Sequence, residues 1–165
     1  MDGLFIENGP FRVSAESSNP SDASAPPTIQ VNPYSWHNSA YMLFLDQPLG
    51  VGYSIVNPNC PWCDYVHNHT AVNEHMYSAL QSLMHIYPFL QHREIYISGE
   101  SYAGHYIPSM VDYILSVGPV GEHRGHAALR VSGMAIGNGW SDPKVQYNFA
   151  EFAHNIGEFL FLFVV

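Results

Sequence analysis

The chain has 165 residues, about the length of one domain. It is 47% hydrophobic, and its five basic and fourteen acidic residues give a formal charge of −9. The apolar content excludes a disordered chain, and five scattered cations exclude the basic patch that nucleic-acid binding requires. The longest apolar run, at 159–165, is too short to span a membrane, for which about 20 residues are needed.

The first half of the sequence is rich in loops and contains one predicted strand. Residues 14–28 are rich in Ser, Asn, Ala and Pro, which predicts an exposed loop. The apolar run Tyr41–Leu45 predicts a strand that is buried on both faces, as in a parallel sheet. Residues 46–52, which follow directly, predict a turn-rich loop.

Two helices are predicted in the second half of the chain. Apolar residues at helical spacing predict the first over 72–87, with Thr70 as its N-cap. The second is predicted over 106–117, because Gly118-Pro119 is a typical end signal. Pro108 is expected to kink this helix or to shift its start.

Two further strands alternate with these helices. They are predicted over 94–98 and 129–136, and the second is followed by a Gly-Asn-Gly turn. Strands that alternate with helices predict an α/β fold, with a mostly parallel sheet, flanking helices and right-handed crossovers.

The two cysteines, Cys60 and Cys63, lie in a segment rich in Pro and Asn that predicts a loop. Together with His67 and His69 they could supply a Cys2His2 zinc site, although the spacing is too short for a zinc finger. A local disulfide and two free thiols are the simpler interpretations, and the sequence leaves both open. We therefore predict no metal site.

The segment 95–104 has the pattern of a nucleophile elbow, in which a strand turns sharply into a helix at a serine. Ser101 would occupy the apex in a strained backbone conformation, and Gly99 and Ala103 would let the strand and the helix approach each other. The backbone N–H of Tyr102 would then face a developing oxyanion. An ordinary strand-to-helix turn is the alternative.

The motif Gly99-Glu100-Ser101-Tyr102-Ala103-Gly104 resembles the active-site serine motif of the serine carboxypeptidases. These are α/β-hydrolases that remove C-terminal residues at acid pH. The other segments that are similar to blocks of that family, in the same order, are Gly3–Pro10, Asn32–Trp36, Asp46–Ser54 and Ala135–Pro143. The resemblance covers about residues 3–158 and is strongest to the vitellogenic-like carboxypeptidase branch.

The resemblance assigns roles to four residues. It implies that Ser101 is the acyl-forming nucleophile and that Tyr102 supplies one oxyanion-hole N–H. It also implies that Glu7 and Glu100 lie together and share a proton, because two carboxylates in contact cannot both ionise easily. The protonated pair could then donate to the free C-terminal carboxylate of a peptide or protein substrate. No cofactor is required.

The resemblance also implies that parts of the family's machinery lie outside this sequence. The triad order in this fold is Ser, then Asp or Glu, then His, and no Asp and His follow Ser101 after the required strands. The family's Gly-Gly-Pro-Gly segment is not present before residue 3 either. We therefore expect a partial domain over 1–158, truncated at both ends and lacking the triad Asp and His, with an aberrant, aggregation-prone apolar tail at 159–165.

Three functions remain open from the sequence. The first is a serine carboxypeptidase, the second an acyltransferase of the same fold, and the third a non-catalytic fragment that binds peptides or partners. The resemblance implies a lysosomal, vacuolar or extracellular location, although Met1–Ile6 has no signal-peptide pattern. The acceptor sequon at Asn68 fits such a location, as do ten histidines that would gain charge in acid, although compositional drift explains the histidines equally well.

Overall fold

The computed structural model of the chain describes residues 2–14, 27–60, 62, 65–123 and 125–157. The chain divides into two units, Met1–Tyr65 and Val66–Val165, and each is described by itself. The predicted tail at 159–165 and most of the predicted loop at 14–28 lie outside the described residues.

The first unit contains a short antiparallel pair of strands that the sequence analysis did not predict. Its helix and strands are α1 Asp2–Phe5, β1 Phe11–Ser14 and β2 Thr28–Val31. Phe11 lies opposite Val31 in the register of the pair. A short 3-10 helix follows at Trp36–Asn38.

The predicted buried strand at Tyr41–Leu45 is wrong. These residues form no strand, and the side chains of Tyr41 and Leu43 are 75% and 49% exposed. An apolar run becomes a strand only where a neighbouring strand takes up its backbone N–H and C=O groups. In the described part of this unit, β1 and β2 pair with each other and no strand pairs with this run.

The second unit confirms the predicted alternation of strands and helices, and with it the α/β class. Its elements are α2 His69–Ile86, β3 Ile95–Glu100, α3 Ala103–His123, β4 Val131–Gly137, α4 Pro143–Gln146 and α5 Ala150–Asn155. Strands β3 and β4 are parallel neighbours, as the helix between them requires. Among the described residues, no helix is both long enough and apolar enough to cross a membrane.

The core of the second unit lies between the two long helices and β3. Tyr77 and Leu80 come from α2, Ile97 from β3, and Ile107 and Ile114 from α3. The spacing of these residues along each helix places them on one face, which turns towards the sheet. Each fully buried aliphatic side chain stabilises such a core by about 1.5–3 kcal/mol. The core therefore fixes the strand and the helix between which Ser101 lies.

The N-cap of helix α2 lies two residues before the position that the sequence analysis predicted. Asn68 is the N-cap, and its side-chain oxygen accepts a hydrogen bond of 2.9 Å from the backbone N–H of Ala71. Thr70 lies inside the first turn. Asn and Thr both make good caps, and Asn is somewhat the better, so the more upstream of two close candidates took the position.

Helix α3 extends beyond the predicted helix at both ends. It begins at Ala103, before Pro108, and it continues through Gly118-Pro119 to His123, so the predicted end signal is wrong. Proline removes one backbone donor, but its φ is already close to the helical value. A helix that is held to the core by Met110 and Ile114 can therefore continue past it.

Candidate active site

Ser101 lies between the end of β3 and the start of α3, in the conformation predicted for a nucleophile elbow. Its φ is +59°, in the left-handed region that serine rarely adopts. In the described part of the chain, Asn138 is the other non-glycine residue with a positive φ. Such backbone strain persists only where the surrounding structure imposes it, and it is concentrated at functional sites.

The close approach of strand and helix at the elbow depends on small residues. A Cβ atom added to Gly99 would lie 2.7 Å from the Cβ of Ala103 and 3.2 Å from the Cδ1 of Ile107. Because real Cβ atoms do not come so close, a larger residue at position 99 would push α3 away from β3. This confirms the steric part of the elbow prediction.

Three backbone hydrogen bonds hold Ser101 in its strained conformation. Its N–H donates to the carbonyl of Gly137 at 3.0 Å. Its own carbonyl accepts from the N–H groups of Trp140 at 2.8 Å and Gly104 at 3.0 Å. The peptide groups on both sides of the serine Cα are thus tied to neighbouring elements.

Tyr102 stands at the entry to α3 with its backbone donor available. Within the described residues its N–H donates to no backbone or side-chain acceptor, whereas its carbonyl accepts from the N–H of His105 at 2.9 Å. An N–H group at the start of a helix points out of the helix and favours negative charge. The geometry is therefore compatible with the predicted oxyanion-hole donor.

An aromatic cluster surrounds the side chain of Tyr102. Its ring centroid lies 4.8 Å from that of Tyr106, 4.9 Å from that of His105, 5.3 Å from that of Trp140 and 6.3 Å from that of His69. Burial raises the pKa of Tyr106, which is therefore a neutral donor at any pH of interest. The sequence analysis missed this cluster, although the helical spacing of 102, 105 and 106 could have indicated part of it.

Glu100 is the last residue of β3 and lies opposite Gly137 of β4. Its side chain is exposed, and its Cγ lies 3.8 Å from the position that a Cβ would take at Gly137. Glu7 is also exposed, but it belongs to the first unit. The predicted sharing of a proton by Glu7 and Glu100 stays a prediction.

The loop that carries Glu7 is held by a buried asparagine and a buried serine. Asn32, which is 1% exposed, donates from its side-chain amide to the carbonyls of Gly9 at 2.9 Å and Glu7 at 3.4 Å. Ser35 donates from its hydroxyl to the carbonyl of Asn8 at 2.7 Å. The segments Asn32–Trp36 and Gly3–Pro10 are therefore bonded to each other, and these hydrogen bonds fix the backbone at Glu7.

We expect Asn32→Leu to lower the free energy of unfolding by about 1–3 kcal/mol, the usual result of leaving buried polar groups without partners. Leucine has a similar volume but cannot donate to the carbonyls of Glu7 and Gly9. The exposed Asn38, which donates to the carbonyl of Pro33, provides the control. Its replacement by alanine should change stability by less than about 0.5 kcal/mol. Equal urea midpoints of unfolding for the two variants would contradict the role of Asn32 in holding the loop of Glu7.

The resembling segment Asp46–Ser54 closes on the carboxylate of Asp46. The backbone N–H of Tyr53 donates to this carboxylate at 2.9 Å, and Gly52 packs against it with a φ of +55°. The hydrogen bond from Tyr53 lowers the pKa of Asp46 below 3.8. The ionised carboxylate therefore stabilises the loop above pH about 3.8, and this contribution is lost as the pH falls through the lower pKa of the folded state.

Cys60 is disulfide-bonded, whereas Cys63 lies outside the described residues. A sulfur in a disulfide cannot act as a thiolate ligand, so the zinc alternative with His67 and His69 is wrong. In the described ranges, no group of three or more His, Cys, Asp or Glu side chains converges as a metal site would require.

The hydroxyl of Ser101 is not hydrogen-bonded to a catalytic base in the described part of the chain. Its Oγ makes no hydrogen bond there to a histidine or a carboxylate. The ring of His105 instead contacts Tyr102 and Trp140, with a centroid distance of 5.1 Å to the indole. The elbow is thus formed and the N–H of Tyr102 has no acceptor among the described residues, but these residues do not complete a triad.

Comparisons with known proteins agree on the family. The profile of the peptidase S10 family, described as serine carboxypeptidase, matches residues 1–159. "Serine carboxypeptidase S10 family member 2" of Dictyostelium discoideum is 41% identical over 93% of this chain, which spans 26% of that protein. "Probable serine carboxypeptidase CPVL" of Homo sapiens is 34% identical over 95% of this chain, which spans 30% of that protein.

A solved structure supports the same conclusion. The crystal structure of Kex1(Δ)p, a prohormone-processing carboxypeptidase from Saccharomyces cerevisiae, matches with a TM-score of 0.75 and 32% sequence identity. The match covers 94% of this chain and 31% of that one. The chain thus spans about a quarter to a third of the length of these relatives.

Proposed function

This chain belongs to the serine carboxypeptidase family, and we propose that the protein it represents removes C-terminal residues from peptides through an acyl-enzyme on Ser101. The observation that carries this proposal is the strained Ser101 backbone at +59°, followed by the available N–H of Tyr102. A structural turn would gain nothing from holding a serine in a disfavoured conformation.

In the proposed reaction, the hydroxyl of Ser101 attacks the carbonyl carbon of the last peptide bond. A C–O ester bond forms, the C–N bond breaks, and the departing amino acid takes up the proton that the hydroxyl releases. Water then hydrolyses the ester and frees the shortened peptide. The N–H of Tyr102 stabilises the oxyanion in both steps, and one such donor typically contributes about 10²–10³-fold to kcat.

The proton transfers require a histidine base and a carboxylate that orients it. We place both in sequence beyond the described residues, since the relatives are about three to four times longer than the segment they share with this chain. The division into a partial domain over 1–158 and an apolar tail at 159–165 is likewise a proposal.

We propose that Glu7 and Glu100 together bind the free carboxylate of the substrate. With one shared proton, the pair donates a hydrogen bond to that carboxylate. Without the proton, its two negative charges repel the substrate. This explains specificity for a free C-terminus and a preference for acid conditions with the same two residues.

The function is tested by sequencing the transcript and then assaying the full-length enzyme. The full reading frame is sequenced, expressed and given pairs of peptides that differ only in a free or an amidated C-terminus. We expect release of the last amino acid at acid pH from the free peptide and none from the amidated one. Equal hydrolysis of both peptides, or of neither, would contradict a carboxypeptidase.

Two alternatives make different predictions in the same assay. An acyltransferase forms the same acyl-enzyme but passes the acyl group to an alcohol, so added alcohols would yield esters in place of the acid. A non-catalytic fragment, favoured by the lack of a base hydrogen-bonded to Ser101 in the described residues, would bind the free peptide without cleaving it.

We propose that the protein enters the secretory pathway and is lysosomal, vacuolar or extracellular. The disulfide at Cys60 favours an oxidising compartment, and the sequon of Asn68 is exposed. The side-chain oxygen of Asn68 caps α2, which leaves the amide nitrogen for a glycan.

Glycosylation of Asn68 can be tested without disturbing the helix cap. In a secreting host, we expect Thr70→Ala to abolish a mobility shift that is sensitive to a peptide N-glycosidase, because the sequon then lacks its hydroxyl. Thr70→Ser keeps the sequon and should keep the shift. A wild-type protein that the glycosidase does not alter would contradict the modification.

A further inference from the structure

The turn that follows β4, residues 138–140, contacts the backbone of the proposed nucleophile, and we call it the β4 turn. We propose that the β4 turn and Gln146 form a positioning unit that holds Ser101 in its reactive conformation. The catalytic meaning of this inference rests on the proposed function. Its structural content does not.

The end of β4 and the β4 turn together bind the backbone of Ser101 on both sides. The carbonyl of Gly137, just before the turn, accepts from the N–H of Ser101 at 3.0 Å, and the N–H of Trp140 donates to the carbonyl of Ser101 at 2.8 Å. Asn138 between them has a φ of +43°. Asparagine tolerates this region better than most residues, so the chain can reverse here and aim the Trp140 donor at the serine.

Two glycines let the β4 turn approach the elbow so closely. A Cβ at Gly104 would lie 2.7 Å from the backbone nitrogen of Trp140. A Cβ at Gly139 would lie 2.6 Å from the Cγ2 of Ile136 and 3.3 Å from the Cα of Gly104. Neither glycine has a positive φ, so the requirement at both positions is for space and not for backbone freedom.

Gln146 holds the β4 turn from the outside. Its side-chain nitrogen donates to the carbonyl of Gly139 at 2.6 Å, and its side-chain oxygen accepts from the N–H groups of Ser141 at 2.8 Å and Asp142 at 3.0 Å. Gln146 is the last residue of the short helix α4 and is exposed. An exposed side chain with three backbone partners contributes little to the core. One of its partners, Gly139, lies in the β4 turn, and the other two directly follow that turn.

The experiment uses the full-length protein with Gln146→Ala and Gly139→Ala. Each variant has a matched control, namely Lys144→Ala on the same short helix and Gly118→Ala, where an added Cβ meets nothing within 4 Å. Two quantities are measured. The first is amide hydrogen exchange at Ser101, Trp140 and Ile97. The second is the rate constant of acylation per competent site. A fluorophosphonate counts the competent sites, and an ester substrate gives the rate of acylation.

We expect Gln146→Ala to speed exchange at Ser101 and Trp140 while Ile97 stays protected. Acylation per competent site should fall about tenfold with KM unchanged within about twofold, and Gly139→Ala should cost about 10²-fold, since small displacements of reacting groups have effects of this size. Both controls should match the wild type. A merely structural role would lower the number of competent sites but leave the rate at each site unchanged.

Unchanged exchange at Ser101 and Trp140 in Gln146→Ala would overturn the inference. If the wild type hydrolyses no peptide, the proposed function fails, but hydrogen exchange still decides whether the β4 turn holds Ser101. If Gly139→Ala does not fold, Gln146→Ala decides alone, because removal of an exposed side chain leaves the core intact.

Discussion

Replacement of Ser101 with alanine is expected to lower the kcat of the full-length protein by about 10⁴–10⁶-fold, the range found when a catalytic nucleophile of this type is removed. Alanine tolerates a φ of +59° about as well as serine, so the elbow should persist. KM should change little, because the backbone donors and the two glutamates remain. Steady-state kinetics on a peptide with a free C-terminus measures both constants.

The control for this variant is Ser98→Ala. Ser98 lies in β3, the strand that leads into Ser101, is exposed and pairs with Ala135 of β4. Its replacement therefore tests the loss of a hydroxyl from β3 without touching the elbow. Its kcat should stay within about twofold of the wild type, as expected of a surface substitution. If Ser101→Ala retained more than a hundredth of the activity, the nucleophile would have to be another group, and the proposed reaction would fail at its first step.

Replacement of Glu100 with glutamine is expected to remove most of the dependence of kcat/KM on pH. If Glu7 and Glu100 share a proton as proposed, kcat/KM of the wild type should fall as the pH rises, because the substrate carboxylate is repelled once that proton is lost. Glutamine keeps an N–H donor at every pH. Glu100→Ala should lower kcat/KM by about 10–100-fold at acid pH, the value of one hydrogen bond to a charged group.

A double-mutant cycle decides whether the two glutamates act as one unit. If Glu7 and Glu100 share a proton, the losses caused by Glu7→Ala and Glu100→Ala should not add. Glu94→Gln, at the other end of β3 and bonded to the hydroxyl of Tyr96, is the control and should keep the wild-type pH profile. Additive losses, or a pH profile that survives Glu100→Gln, would contradict the shared proton.

The elbow could be predicted from the sequence because its geometry is local. The requirement for small residues at positions 99 and 103 follows from the approach of one strand to the helix that directly succeeds it. The same holds for the alternation of β3, α3 and β4, since helical and strand periodicities are written in consecutive residues. No distant partner is needed for either conclusion.

Predictions that depend on a distant partner were less successful. Tyr41–Leu45 has the composition of a buried strand but finds no neighbouring strand among the described residues, whereas the short β1 and β2 form because they find each other. The predicted end of helix α3 was wrong for a related reason. Burial of Met110 and Ile114 outweighs the stop signal at Gly118-Pro119. Local helix propensity does not include the free energy of this burial.

In the candidate site, too, local features could be predicted and features that depend on distant residues could not. Ser101 and Tyr102 belong to one motif and could be identified together. No local motif indicated that the β4 turn and Gln146 support Ser101. The hydrogen bond from the β4 turn to Ser101 forms only when β4 lies beside β3, and Gln146 acts through that turn. The clamp of Asn32 and Ser35 on the loop of Glu7 likewise joins segments that are distant in the sequence.

The hydrogen bonds of the elbow have a consequence for the order of events during synthesis. The partners of Ser101, namely Gly104, Gly137 and Trp140, all follow it in the chain, and the last of them lies 39 residues further on. Elements that are near in sequence close smaller loops and form early, and the N-terminal parts of a chain fold first as it leaves the ribosome. We therefore expect the reactive backbone of the serine to be set soon after Trp140 emerges, so that later-arriving parts of the protein dock onto a finished elbow.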